Sequence, residues 1–237
     1  MKVDVWSDVV CPWCFVGLAN LHEAQRALAA DGEAEPIEVV LHSFQLDPGA
    51  PERIDEPILD RLVAKLGMPA AQVQAGQDRL VAMGAERGID FRFDQAIDGN
   101  TFDAHRLLHL ARQRGLQLEL KERLGRAYFT DGQPIGERPT LRQAALDVGL
   151  DEHEVDAVLE GDAYADDVRA DIAAAQRIGI GGVPFFVIDE RYGVSGAQPA
   201  EVLRDALEEA IRTKAPSLVT VAGDPEADAC GPEGCAI

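Results

Sequence analysis

The chain has 237 residues, 46% hydrophobic and 27% charged, a globular balance with length enough for a sizeable core. Its formal net charge is -20, from 22 basic and 42 acidic residues, which argues against nucleic acid and anionic membrane as partners, since both require basic patches. No apolar run approaches the ~20 residues of a membrane-spanning helix; the first strand signal begins at Lys2, leaving no room for a signal peptide, so a cytoplasmic location is expected.

Taken in order, the apolar run from Val3 to Val10 reads as a buried strand over residues 2–7. Phe15, Leu18, Leu21, Ala24 and Leu28 then recur at helical spacing, giving a helix over 12–30 that Asp31-Gly32 stops. Pro36 to Phe44 is a second strand, with Ile37, Val39 and Leu41 on one face. A strand, a helix-length crossover and a strand form a βαβ unit, hence a parallel pair. From Asp55 to Ile178 helical periodicity takes over, with helices expected over 56–66, 69–87, 101–114, 117–130, 139–148, 151–160 and 163–178. Glycines at 67, 88, 115, 132, 149 and 161 fall at their ends. Asn100-Thr101 with Asp103 reads as an N-terminal cap with a first-turn acid. Ile89 to Gly99 reads as loop. Strand character returns from Val183 to Ile188 and again from Tyr192 to Ser195, a hairpin turning at Asp189-Glu190-Arg191. Pro199 opens a last helix to about Arg212.

This order predicts an α/β fold: a thioredoxin-like core (βαβ…ββα) with a large all-helical insertion. Residues 1–48 and 179–214 are the two halves of the core, 49–178 the insertion, and 215–237 a C-terminal tail.

The four cysteines form two close pairs, Cys11 with Cys14 and Cys230 with Cys235. Cys11-Pro12-Trp13-Cys14 falls where the first strand gives way to the first helix. Pro12 suits the first helical position, where its missing N–H costs nothing. Cys11 then stands at the N-cap, where free amides and the helix dipole favour a thiolate, the reactive form. Pro12 and Trp13, between the thiols, are the candidate tuning residues. A CxxC beside a βαβ pattern is a thiol-redox signal. A zinc half-site is the rival reading; it needs two further ligands, and only Cys230 and Cys235 are available as a pair.

Val183-Pro184 is the second feature. A proline within a strand-like run is reconciled by a cis bond at the strand start. That strand start lies beside the CxxC in a thioredoxin-type core, so Val183 would offer its backbone N–H and C=O to an extended substrate. Of the five histidines, His105 and His109 share a helix face, with no Glu or Cys beside them to complete a metal site. Asp4 and Asp8 flank the active-site strand; Asp8 reads as local turn chemistry, with a proton-acceptor role toward Cys14 as the alternative.

The segments Asp8-Val9-Val10-Cys11-Pro12-Trp13-Cys14, Phe44-Gln45-Leu46-Asp47-Pro48, Asn100-Thr101-Phe102-Asp103-Ala104-His105-Arg106, Gly181-Gly182-Val183-Pro184-Phe185-Phe186 and Ser195-Gly196-Ala197-Gln198 together resemble the DsbA family of thiol oxidoreductases. Within it the chain is similar to the FrnE-like branch, related to 2-hydroxychromene-2-carboxylate isomerases and kappa-class glutathione transferases. The resemblance implies a protein disulfide oxidoreductase or isomerase, with Cys11 as nucleophile, Cys14 as resolving thiol and Pro184 as the facing cis-proline. It implies protein disulfides, dithiols or small thiols as partners. No cofactor beyond the redox-active dithiol is implied, with glutathione a candidate co-substrate; no metal site is expected. The alternative it carries is a glutathione-dependent isomerase or transferase, in whose members Ser stands where this chain has Cys11. Asn100, Thr101 and His105 are candidate cleft residues. Cys230 and Cys235 read as an auxiliary dithiol exchanging with the first pair, as a clasp disulfide, or as a metal clip.

Overall fold

Alternation along the first strand decides how the sheet is covered: Val3 and Val5 point to one face, Asp4 and Trp6 to the other. The computed structural model describes residues 1–32 and 36–213. In chain order these form β1 (Lys2–Ser7), α1 (Pro12–Ala30), β2 (Glu38–Ser43), α2 (Ile58–Leu66), α3 (Ala70–Ala85), α4 (Phe102–Gln113), α5 (Gln117–Gly125), α6 (Arg138–Asp147), α7 (Glu152–Glu160), α8 (Ala165–Arg177), β3 (Phe185–Ile188), β4 (Tyr192–Ser195) and α9 (Ala200–Arg212). The sheet order is β2-β1-β3-β4, with β1 parallel to β2 and antiparallel to β3, and β3 antiparallel to β4.

Helices α1 and α9 bury Leu21, Leu28, Leu203 and Leu207 against Val3, Val5, Phe186 and Ile188. The opposite face carries Trp6, which packs with Ala175 and Ile180. Its indole N–H donates to the Asp171 carbonyl at 3.1 Å. Helix α8, part of the helical stretch in sequence, therefore closes the second face of the sheet. The remaining helices surround a separate cluster that includes Leu107, Leu120, Leu124, Phe129, Leu141 and Val155. Val9, Phe15 and Val16 of the β1–α1 turn and α1 belong to that same cluster, so the turn bearing the cysteines is held between core and insertion.

One local finding differs from the sequence reading. The helix expected over 117–130 is α-helical only to Gly125, and Arg126–Thr130 continues as a π-helical turn. Gly125 is there because a Cβ at that position would come within 2.2 Å of the Phe15 ring. Of the expected Asn100-Thr101 cap, Thr101 makes no side-chain cap bond and Asn100 Oδ1 accepts from Phe102 N–H at 2.9 Å. The buried Arg106 donates to the carbonyls of Ala163, Val158 and Gly161, tying α4 to the end of α7. No helix among the described residues is long and apolar enough to cross a membrane.

A buried charge relay fastens α8 to the sheet. His42 on β2 bonds Asp171 of α8 through Nδ1 at 2.7 Å and Asp4 of β1 through Nε2 at 2.6 Å. Burial opposes a charged His42, but the two carboxylates outweigh it and lift its pKa above the ordinary 6.5. Burial likewise opposes the charges of Asp171 and Asp4, and their hydrogen bonds to His109, His42 and Lys2 outweigh it, holding both carboxyls down. The stabilisation from His42 is fully present below its unfolded value and is lost as pH rises through its folded value. That from the carboxylates is present above their unfolded values and is lost on acidification. Urea unfolding is therefore expected to show lower stability at about pH 8.5 than at about pH 5.5, and His42→Asn should flatten the difference while costing about 2 kcal/mol at the lower pH. An unchanged pH slope in His42→Asn would contradict the assignment.

Candidate active site

The β1–α1 turn is organised by Asp8, which is fully buried. Its Oδ1 accepts from Val9 N–H at 2.7 Å and its Oδ2 from Leu46 N–H at 2.8 Å. His105 Nε2 of α4 lies 3.2 Å from Oδ1. Burial alone would raise this carboxyl; these partners outweigh it and keep it low and ionised. Asp8 thus holds the turn rather than standing free as a base.

The turn delivers Cys11 as N-cap of α1 with Pro12 in the first helical turn, and Cys14 one turn on. Both are free thiols. Cys11 is 4% exposed and Cys14 is 0% exposed. Trp13, 41% exposed, stands beside them at the rim. The Val183–Pro184 bond is cis, and Cys11 Sγ lies 3.6 Å from the Val183 carbonyl, to which it donates. Pro184 also packs on α1: a Cβ at Gly17 would meet its ring at 3.0 Å. That glycine lets the proline loop lie directly on the helix bearing the thiols.

The two thiols are shifted in opposite directions. Cys11 is pushed well above its ordinary value, first by its hydrogen bond to Cys14 and then by burial. Burial would raise Cys14 as well, but it is outweighed by the Cys11 hydrogen bond, the charge of Lys121, the Asp8 backbone and the Ser7 hydroxyl, and Cys14 is lowered.

A cavity of about 840 Å³ opens in front of Cys11, between the turn and helices α2 and α3. Its volume is that of a site for a small molecule or a side chain. Cys11, Pro12, Trp13 and Val183 line it together with Ile58, Leu62, Leu66, Met68, Val73, Leu80, Phe93 and Phe129, whereas Cys14 does not. Arg61, Lys65 and Arg79 line it together with Asp8, Asp47, Glu56 and Asp98, and Arg61 pairs with Asp47 and Asp98.

The three expected cleft residues separate. Thr101 lines the cavity. Asn100 donates to the carbonyls of Pro48 and Ala50 and accepts from Gln45, so it braces the loop beyond β2. His105 is 1% exposed and turned inward to Asp8, away from the cleft, because the buried carboxylate is its nearest partner. His109 pairs with Asp171 at 3.1 Å and Ser43, and among the described residues no group of three or more His, Cys, Asp or Glu side chains is placed to hold a metal ion. Cys230 and Cys235 lie outside the described residues.

Two residues of the site do not stand out in the sequence. Lys121 sits under the dithiol, and its position on the apolar face shared by Gln117, Leu120 and Leu124 is the one signal of it. Ser7 ends β1 with its side chain buried on the Cys14 side.

A dithiol at a helix start, facing a proline loop, sets the frame for comparison. A probable DsbA oxidoreductase from Streptomyces coelicolor is 45% identical, covering 100% of this chain and 99% of that one, with a TM-score of 0.85. The uncharacterized Bacillus subtilis protein YwbO is 28% identical over 216 residues, 90% of this chain and 99% of its own length. The cytosolic disulfide reductase DsbM from Pseudomonas aeruginosa, solved with GSH, shares the fold at 22% identity and a TM-score of 0.60, over 90% of this chain and 100% of that one. The model of the DSBA-like thioredoxin domain matches residues 2–208, the span that carries both the thiol pair and the loop facing it, and the chain belongs to that family.

Proposed function

We propose that the protein is a thiol–disulfide oxidoreductase that exchanges disulfides with protein or small-thiol substrates through Cys11 and Cys14. The observation that carries this is the asymmetry of the pair: Cys11 lines the cavity beside Val183, and Cys14 is sealed behind it. An entering disulfide meets one sulfur and not the other.

In the reducing direction Cys11 gives up its proton and reacts as a thiolate. Cys11 thiolate attacks one substrate sulfur, the substrate S–S bond breaks, and the other half leaves as a thiolate that takes up a proton. Cys14 then attacks Cys11 Sγ, the mixed disulfide breaks, and the second substrate thiol departs with the proton of Cys14. The substrate gains two electrons and the pair becomes a disulfide. The reverse sequence oxidises a substrate dithiol. The sulfurs carry the electrons, so no resident cofactor enters the scheme. Val183 N–H and C=O supply backbone pairing for an extended substrate segment. A cytoplasmic setting, with glutathione as one thiol partner, completes the proposal and follows the description of DsbM.

The test is insulin reduction with dithiothreitol. The wild-type protein should accelerate precipitation of the B chain and Cys11→Ala should not; an unchanged rate in Cys11→Ala would sink the proposal.

A further inference from the structure

Among the large, fully buried side chains of the described residues stands one lysine. Lys121 of α5 is 1% exposed. Its ammonium donates to the Asp8 carbonyl at 2.6 Å and lies 4.7 Å from the centroid of the Phe15 ring. Burying an ammonium costs several kcal/mol unless negative charge and hydrogen bonds compensate it. One carbonyl and one ring face leave donors unmatched. The Asp8 carboxylate is already committed to Val9, Leu46 and His105. The groups whose charge reaches Lys121 are Cys14 first, then that same Asp8 carboxylate, then Cys11. Further out, the charged and titratable groups of the groove behind it are His22, Glu23, Arg26, Glu86, Arg87, Asp90, Arg92, Glu122 and Arg126.

We propose that Lys121 is the counter-ion of the Cys14 thiolate and tunes the resolving step of exchange. In that step Cys14 must be a thiolate to attack Cys11 Sγ; the S–S bond to the substrate breaks, and the proton Cys14 gave up ends on the departing substrate thiol. Lys121 stays protonated throughout and acts through Cys14 as a positioning charge. The insertion thereby supplies the electrostatics of a thiol carried by the core. The proposal rests on the exchange chemistry above, but its first test uses no substrate, so each stands or falls separately.

In the full chain carrying Cys11→Ser, Cys230→Ser and Cys235→Ser, Cys14 is the sole thiol and its ionisation is read from thiolate absorbance in the ultraviolet. Adding Lys121→Met should raise the midpoint by about one pH unit or more, and Lys121→Arg should restore part of the change. An unchanged midpoint in Lys121→Met overturns the proposal. Kinetics give a second signature, measured in chains with both active-site thiols. For each pH unit by which the midpoint of an attacking thiol rises, its thiolate fraction falls about tenfold and its intrinsic reactivity grows about threefold. With a rise of about one pH unit, decay of a preformed mixed disulfide should therefore be about threefold slower in Lys121→Met near pH 7, and about threefold faster above both midpoints. A constant ratio at all pH values, as a structural defect would give, contradicts it. If Lys121→Met does not fold, ¹³C-lysine labelling of the wild-type chain, which has four lysines, reads the same coupling. The Lys121 resonance should titrate at higher pH in the reduced than in the oxidised protein; equal midpoints overturn the proposal.

Discussion

Cys14→Ser is expected to turn the protein into a trap. Cys11 remains on the cavity wall and still attacks a substrate disulfide, but nothing within reach resolves the adduct. In a background of Cys230→Ser and Cys235→Ser, no other thiol of the chain can substitute. The wild-type resolving step is intramolecular, between sulfurs one helical turn apart, and such placement gives effective concentrations far above those of free thiols. Removing Cys14 should accordingly lower turnover of insulin by about a thousandfold while leaving adduct formation measurable. Cys11→Ser should lose both, since the sealed Cys14 meets no substrate. Non-reducing gels and intact mass read the two outcomes directly. Equal adduct in both single variants would contradict the assignment of roles.

The largest expected effect on stability is at Phe129. Its ring meets those of Tyr128 at 4.5 Å, Phe91 at 4.9 Å, Phe15 at 5.5 Å and Phe93 at 5.8 Å, all edge-on. Edge-to-face pairs add to the area each ring buries. Phe129 also lines both the cavity in front of Cys11 and the groove behind Lys121. Phe129→Ala should cost about 3–5 kcal/mol in urea unfolding, a large share of the stability of an ordinary domain. It should also let the two hollows communicate. Phe129→Leu keeps most of the volume and should cost less than half as much. A loss below about 1 kcal/mol in Phe129→Ala would mean that the ring cluster does not hold the insertion to the turn.

The sheet is legible in the sequence because its signals are local. Val3 to Val10, Pro36 to Phe44 and Val183 to Ile188 are short apolar runs bounded by turn residues, and parallel pairing follows from the helix-length crossover. The CxxC and Val183-Pro184 are legible because few other chemistries place those residues at a strand-to-helix turn and a strand start. Which surface each helix covers is not written locally. Helix α8 has the same periodicity as its neighbours, and only Asp171 reaching His42 and Ser43 shows that it belongs against the sheet. The π-helical turn at Arg126–Thr130 depends on Gly125 meeting Phe15, a contact between segments about a hundred residues apart. A helix-terminus argument alone assigns the charge of the thiol pair to Cys11, because it sees only local amides. Lys121, from a different element, adds a buried cation beside the pair that no local signal announces. Asn100 and His105 look like cleft residues because polar groups at a helix start suit a site; both are occupied by scaffold partners.

The central claim is that one sulfur faces the substrate and the other is enclosed. Peptide mapping after brief exposure of the reduced protein to a small excess of iodoacetamide tests it without any assumed substrate. The expected result is label on Cys11, with Cys14 unmodified until the protein is unfolded. Label on Cys14 first, or equal label on both, would contradict the account.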